Sequence, residues 1–363
     1  MLTAPGCSQS AAQARALSAG QTSFNVPNGK PFGLVVSPDG KFVFAATATT
    51  LEVFGTSAPG LTLTHMFSFL IATASAPATT MTITHSGQDL LVAAGNGIDV
   101  LSVETAETGT GTLLLGTLTV PGVTGTGRAI NVAVTPNDQY AFVTLQFRAQ
   151  LAVFNLGNAV NNGAFNSTSF QGSVSLASPV GMAISPDGKW LYATSFAAGN
   201  AQGKLAVLNV AQLEADPAKA TIKQVDAGCS PARIVVSPDN KTVWVTARDS
   251  DFLLGFSAPL LGSDPSRALI AKVQVGQSPI GLVLVNGGTE MIVADNDINH
   301  TGANNLAVVN VTKALANKPG ALIGYLPTGL SPHEVWLAPG GQFVVISDNG
   351  SAQLQVVNVS KLP

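Results

Sequence analysis

Apolar runs recur along the chain in pairs, and a short polar turn separates the two members of each pair. The first pair, residues 34–36 and 42–45, flanks Ser37-Pro38-Asp39-Gly40. Proline presets its own φ, and aspartate and glycine accept the remaining turn conformations. Each pair therefore predicts a β-hairpin that is buried on both faces. A third run that alternates apolar and polar residues follows, as in 151–155, 205–209, 306–310 and 354–358, and a more polar fourth run, as in 221–225 and 271–275, completes a four-stranded unit.

This four-stranded unit repeats seven times. Its turns fall at positions 38, 86, 136, 186, 238, 286 and 339, at intervals of 48 to 53 residues. A period in this range is typical of propeller blades. Seven such units fill nearly all of the 363 residues. We therefore predict an all-β protein, a seven-bladed β-propeller of four-stranded antiparallel blades over residues 22–363, preceded by an N-terminal extension over residues 1–21.

The last unit lacks its outer strand, because the sequence stops soon after its third apolar run. Residues 22–26 (Thr-Ser-Phe-Asn-Val) precede the first unit, where every other unit has an outer strand from its predecessor. We expect this N-terminal strand to complete blade 7 and close the ring, which removes exposed sheet edges.

Composition and charge exclude some classes of binding partner. Only 10% of residues are charged and the formal net charge is -3, so the chain has no basic footprint for nucleic acid. No apolar run reaches the length of about 18 residues that spans a bilayer. The low charge, the paired cysteines and six Asn-x-Ser/Thr sequons favour a secreted or periplasmic monomer; the sequons lie at Asn166, Asn240, Asn299, Asn310, Asn349 and Asn358.

The two cysteines, Cys7 and Cys229, allow a disulfide. Cys229 lies in a loop that enters an inner strand, and the chain between Cys7 and the first strand is long enough to cross the ring. Residues 7–20 are thus a possible lid across the channel mouth, with a short helix in the alanine-rich part. The alternative is two free thiols and a disordered tail.

The repeat resembles a known family. Blade 4 (SPVGMAISPDGKWLYAT) and blade 7 (SPHEVWLAPGGQFVVISDNGSAQLQVVNV) are similar to the YVTN-type repeats of seven-bladed lactonase-like propellers. The resemblance covers residues 30–360 and implies a lactonase-like hydrolase with polar side chains at the starts of the inner strands. The sequence places at those starts Phe32, Thr80, Ile130, Val180, Ala232, Ile280 and His333.

Candidate site residues follow from the loops at one end of the channel, because propeller strands are packed core. These loops hold 10 of the 37 charged residues, most of them in blades 5 to 7. We expect His333 and Glu334 as acid/base catalysts with Arg233 as a clamp. The remaining candidates would bind substrate: Arg248, Asp249, Asn131, Arg148, Asp295, Asn296, His300 and Asp348. The alternative is structural, with Asp and Asn capping turns and Arg–Asp pairs linking blades.

No metal or cofactor is expected. The Asp295-x-Asp297-x-Asn299 series has the alternate oxygens of a calcium loop, but His300 stands where glycine is needed and no glutamate closes the loop. Two function classes remain. The first is a lactonase-like enzyme acting on a small sugar-acid or cyclic ester at the channel mouth. The alternative is an exported, non-catalytic propeller that binds a small ligand, a glycan or a protein partner.

Overall fold

The computed structural model describes residues 1–7, 11–58, 60–72, 77–122, 127–157, 169–197, 201–297, 302 and 304–362. These residues form seven four-stranded antiparallel sheets, which confirms the seven-bladed β-propeller. Each blade pairs four strands that are consecutive in the chain, except blade 7, which takes its outer strand from the N-terminal region.

The strands follow the predicted order of inner, second, third and outer. They are β1 (Gly20–Asn25); in blade 1, β2 (Gly33–Val36), β3 (Phe42–Ala46), β4 (Thr50–Ser57) and β5 (Thr62–Leu70); in blade 2, β6 (Ala78–Ile83), β7 (Asp89–Ala94), β8 (Gly97–Ser102) and β9 (Leu114–Thr119); in blade 3, β10 (Ala129–Val134), β11 (Tyr140–Leu145), β12 (Gln150–Asn155) and β13 (Phe170–Ser175); in blade 4, β14 (Pro179–Ile184), β15 (Trp190–Ser195), β16 (Lys204–Asn209) and β17 (Ile222–Asp226); in blade 5, β18 (Pro231–Val236), β19 (Thr242–Ala247), β20 (Phe252–Ser257) and β21 (Leu269–Gln274); in blade 6, β22 (Pro279–Val285), β23 (Glu290–Asp295), β24 (Asn305–Asn310) and β25 (Leu322–Pro327); and in blade 7, β26 (Pro332–Leu337), β27 (Phe343–Asp348) and β28 (Gln353–Asn358).

Short helices follow several third strands. The α-helices are α1 (Val103–Thr108), α2 (Val210–Ala215), α3 (Ala258–Ser263) and α4 (Val311–Leu315), and the 3-10 helices are Gln146–Arg148, Pro217–Lys219, Arg248–Ser250, Pro265–Arg267, Asn286–Gly288 and Val359–Lys361. Each α-helix begins where the last residue of a third strand caps it: Ser102, Asn209, Ser257 and Asn310 each accept a hydrogen bond from a backbone N–H three residues on. No helix in the described ranges is long and apolar enough to cross a membrane.

The Ser-Pro-Asp-Gly turns are held by their own side chains. In blade 1, Ser37 Oγ donates to Asp39 Oδ1 at 2.7 Å, and the Lys41 backbone N–H donates to the same carboxylate oxygen at 3.0 Å. Gly40 takes a φ of 72°, which a side chain would disfavour. The same serine-to-aspartate bond recurs in blades 4 and 5 at 2.6 Å.

Adjacent inner strands are joined by hydroxyl groups at the penultimate position of the second strands. Thr194 Oγ1 accepts from the Gly181 N–H of its own blade and donates to the Ala232 carbonyl of the next blade, at 2.8 and 3.1 Å. The same bridge is made by Thr144, Thr246 and Ser347. These bonds satisfy backbone N–H and C=O groups of the inner strands that have no backbone partner within their own sheet.

The N-terminal strand closes the ring as expected. Strand β1 pairs antiparallel with β28 from Gly20↔Asn358 to Asn25↔Gln353. It begins two residues before the expected boundary at residue 22.

The extension does not cross the channel in its described part, so the expected lid position is wrong for residues 11–19. These residues form no helix and run along the outer edge of blade 6, where Ala16 makes a parallel bridge with Tyr325 of β25. The unpaired edge of β25 offers backbone partners, and Leu17 packs against the core between blades 6 and 7. Cys7 and Cys229 do form a disulfide, and Gln202 donates to the Pro5 carbonyl at 2.6 Å.

Candidate functional site

A β-bulge in the inner strands decides which side chains face the central channel. In blades 2 to 7 the pairing of the inner strand with the second strand shifts just after its first residue, as between Pro279 and Leu282. The last residue of the bulge, immediately before the regular pairing resumes, then occupies the position next to the central channel. In blades 2 to 7 these residues are Thr80, Asn131, Gly181, Arg233, Gly281 and Glu334; blade 1 has no shift, and Gly33 pairs regularly with Ala46. In blades 3 to 7 this residue follows the inner-strand start named from the sequence, because a bulge inserts an extra residue.

The channel widens into a cavity of about 1100 Å³, which we call the channel cavity. All seven inner strands contribute to its wall, which is chiefly apolar. Polar side chains line it at the bulge level, where Asn131 Nδ2 donates to Thr80 Oγ1 at 3.3 Å. Asn131 is thus placed in the channel, as expected for a ligand-contacting residue.

Arg233 and Glu334 form an ion pair across the channel wall. Arg233 Nε donates to Glu334 Oε1 at 2.7 Å, and both side chains are largely buried, with 8% and 18% of their surfaces exposed. The two residues belong to the inner strands of blades 5 and 7. Burial works against ionisation of Glu334, but the Arg233 charge and the His333 contact outweigh it and lower the pKa of Glu334 to about 2.

His333 completes a group with this pair, which we call the channel cluster (Arg233, His333 and Glu334). His333 Nδ1 lies 3.4 Å from Glu334 Oε1. Burial lowers the pKa of His333, against the opposing effect of Glu334, so the imidazole is neutral at neutral pH. Its ring packs on Phe32 of blade 1, with 3.8 Å between ring centroids. All three predicted catalytic residues therefore converge.

Arg248 and Asp249 form a separate pair beside the disulfide. Arg248 Nε donates to Asp249 Oδ1 at 2.8 Å, and the guanidinium lies 5.0 Å from the centroid of Phe196. Burial disfavours the Asp249 carboxylate, but its bonds to Arg248 outweigh this and lower its pKa. The Asp249 backbone N–H donates to the Cys229 carbonyl. The charge of Arg248 nevertheless reaches His333 and helps to keep that imidazole neutral.

Asp295 and Asp348 perform the same structural task in blades 6 and 7. Each is fully buried (0% exposed) and accepts a hydrogen bond from the backbone N–H of a glycine in the preceding interblade loop, at 3.1 Å. Burial raises the pKa of Asp295 well above its usual value and that of Asp348 to about 6. A substrate cannot reach a carboxylate that has no exposed surface, so these contacts favour the structural alternative.

The asparagine after each of these aspartates anchors the next blade. Asn296 Nδ2 donates to the Pro332 carbonyl at 2.9 Å, and Asn349 Nδ2 donates to the Pro31 carbonyl at 3.1 Å. Both carbonyls stand at the start of an inner strand, so the amides position the strands that carry the site. The Asp-Asn pairs are therefore interblade clamps in blades 6 and 7.

Two candidates remain, Arg148 and His300. Arg148 lies half-buried in the 3-10 helix after β11 and lines neither the channel cavity nor the second cavity described below. His300 lies outside the described residues, as does Asn299 of the calcium-like series. Among the described residues, no group of three or more His, Cys, Asp or Glu side chains could hold a metal ion.

A second cavity opens over blades 1 to 3, and sequence reasoning missed it. This mouth pocket has a volume of about 430 Å³, and its polar side chains include Asn28, Lys30, Thr47, Arg128 and Asn349. Blades 1 and 2 carry few charged residues in their mouth loops. The charged loop residues from which the site was predicted lie mostly in blades 5 to 7. Arg128 was the one charged residue whose position in the sequence indicated this pocket, because it immediately precedes the inner strand of blade 3.

Comparison with known proteins shows the fold and nothing finer. No family model and no curated protein matches the chain. Similar solved structures include a Kuenenia stuttgartiensis hydrazine synthase chain (15% identity, 93% of this chain and 97% of that chain, TM-score 0.69), a chain of a mitotic checkpoint complex (14%, 99% and 97%, TM-score 0.71) and a streptogramin B lyase (11%, 93% and 97%, TM-score 0.66). Such diverse proteins on one fold mean that function must be argued from the site.

Proposed function

We propose that this chain is a lactonase-like hydrolase that opens a small sugar-acid lactone or related cyclic ester at the channel cluster. The observation that carries the proposal is the His333–Glu334–Arg233 arrangement. It holds a neutral imidazole 3.4 Å from a carboxylate, and an arginine keeps that carboxylate ionised. The YVTN-type resemblance of the repeats supports the same class.

The residues divide the work in the following way. If Nδ1 of His333 carries its proton toward Glu334, Nε2 is left as the basic nitrogen. Water attacks the lactone carbonyl carbon and gives its proton to Nε2. The ring C–O bond then breaks, and the leaving oxygen takes that proton back to yield a hydroxy acid. Arg233 lends positive charge to the negative oxygen of the tetrahedral intermediate.

Hydrolysis of a lactone panel tests the proposal. The wild-type chain, His333→Gln and Glu334→Gln are compared with Glu104→Gln, which changes an exposed glutamate on α1. Loss of the general base lowers kcat by about 10²- to 10⁴-fold in His333→Gln, whereas Glu104→Gln hydrolyses at the wild-type rate. Absence of hydrolysis by the wild type across the panel, or equal rates in His333→Gln, would overturn the proposal.

A non-catalytic binding propeller is the second candidate, and one observation favours it. The Glu334 carboxylate is already satisfied by Arg233, and the channel cavity beside it is chiefly apolar, as in a site that holds a ligand without reacting with it. Saturable binding of a lactone that the wild type does not hydrolyse would select this candidate.

An oxidising compartment and a monomeric state complete the proposal. The disulfide between Cys7 and Cys229 supports a secreted or periplasmic location, because such bonds persist where thiols are not kept reduced. Non-reducing peptide mapping of protein from its native source tests the location, and two free thiols would count against it.

A further inference from the structure

The mouth pocket is the strongest unassigned feature of the molecule. It is separate from the channel cavity, and the two share no lining residue. Its volume of about 430 Å³ falls in the range of small-molecule sites. The proposed hydrolysis uses none of its polar groups.

The charged side chains described in the wall of the mouth pocket are both cationic. Lys30 and Arg128 line it, and among the described residues no Asp or Glu does. The chain as a whole carries 20 acidic and 17 basic residues. The Arg128 guanidinium lies 5.1 Å from the ring centroid of Phe147, a cation–π contact.

The rest of the wall is chiefly apolar. Phe32, Pro77, Ala129 and Ile130 supply the apolar surface. Asn28 contributes an amide whose Nδ2 donates to Ser68 Oγ at 2.8 Å and to Glu52 Oε2 at 3.4 Å.

The carboxylate that Asn28 contacts already has several hydrogen-bond partners. Glu52 is fully buried and accepts from Ser68 Oγ and Thr50 Oγ1, each at 2.6 Å, and it contacts His65 Nε2 at 2.9 Å. These bonds spread its negative charge over several donors, and the carboxylate itself does not line the pocket. The pocket therefore combines two cations with an apolar wall.

We propose that the mouth pocket binds a small organic anion, a carboxylate or a phosphate monoester on an apolar body. The apolar wall takes the body of the ligand, and Lys30 and Arg128 take the anionic group. Binding here requires no turnover at the channel cluster, so the proposal stands or falls separately from lactone hydrolysis.

Isothermal titration calorimetry with three shape-matched probes tests the idea. Benzoate and phenyl phosphate carry the anion, and benzamide has the outline of benzoate without its charge. We expect saturable binding of at least one anion, about five- to tenfold tighter than that of benzamide, and weakening with added salt. The preferred anion distinguishes a carboxylate ligand from a phosphate ester.

Charge-removing variants locate the site. Lys30→Gln and Arg128→Gln each weaken anion binding about five- to tenfold and leave benzamide unchanged. Lys41→Gln and Arg267→Gln, exposed cations outside the pocket, leave the anion affinity as in the wild type.

Three results would overturn the proposal. They are no saturable binding of either anion by the wild type, benzamide binding as tightly as benzoate, and Lys30→Gln binding the anions as tightly as the wild type. Arg128 has a φ of 51°, so a failure of Arg128→Gln to fold leaves the Lys30 variant and the benzamide comparison as the deciding measurements.

Discussion

Separating Arg233 from Glu334 should reveal a large coupling free energy. Glu334→Gln leaves a buried guanidinium without its counter-charge, and Arg233→Met leaves a buried carboxylate. Removal of one partner of a buried pair costs about 3–5 kcal/mol of unfolding free energy. The structure gives a consistent figure: lowering the Glu334 pKa from 4.5 to about 2, at about 1.4 kcal/mol per pKa unit, corresponds to about 3 kcal/mol.

A double-mutant cycle at pH 7 measures this coupling. The free energy of unfolding is determined by urea denaturation for the wild type, both single variants and the double variant. Once either charge is gone, removing the other relieves an unpaired charge, so the double variant should be more stable than the sum of the two losses implies. The coupling free energy should be about 3 kcal/mol.

The ion pair between Arg267 and Asp264 is the matched control. Its atoms are 4.0 Å apart and the side chains are 65% and 42% exposed, so its coupling should stay below about 1 kcal/mol. A channel coupling no larger than that of this surface pair would refute the reasoning, because the channel pair would then be screened by solvent in spite of its burial.

Two further outcomes follow from the same geometry. Gly281→Ala should lower the unfolding free energy by about 1–3 kcal/mol, because its Cβ would stand 2.3 Å from the His333 carbonyl oxygen. Gly262→Ala in α3, where a Cβ meets nothing within 4 Å, should be neutral or slightly stabilising in the same urea assay; equal losses would contradict the steric argument. Asp348 has a folded pKa of about 6 against 3.8, so the native state holds its proton more tightly, and wild-type stability should fall by about 3 kcal/mol as pH rises from 4 through 6. Asp348→Asn should lose that part of the pH dependence, and an unchanged pH profile would show that the carboxyl is not the source.

The architecture was predictable because its signals are local and repeated. Each Ser-Pro-Asp-Gly turn, such as the one at Ser37, builds its hydrogen bonds from adjacent residues, so the sequence alone identifies the hairpin. The closing strand was predictable by counting, since six blades showed an outer strand and the seventh did not. The asparagine that ends a third strand, such as Asn209, caps the helix that follows, a role that the alternating apolar pattern does not indicate.

The site was predictable only where burial and charge act together. His333, Glu334 and Arg233 converge as expected. The inner-strand bulges leave no mark in the apolar pattern, so the sequence did not show that Asn131, Arg233 and Glu334 occupy equivalent places in their blades. The structural aspartates and the mouth pocket depend on contacts between blades, and such contacts join residues that are far apart in sequence. Asn349 and Pro31, for example, meet across the ring closure.

The disulfide also sets the path of mechanical tension through the ring. A pull applied at Met1 reaches Cys7 first and passes through the covalent bond to Cys229, at the junction of blades 4 and 5. The hydrogen bonds between β1 and β28 lie outside that covalent path while the disulfide is intact, and they join the two ends of the ring together with the contacts from Ser347 and Asn349 to blade 1. Under a reducing agent the same pull would act first on the contacts of residues 12–17 with blades 5 and 6, and only then on β1. Loss of β1 would leave blade 7 without its outer strand.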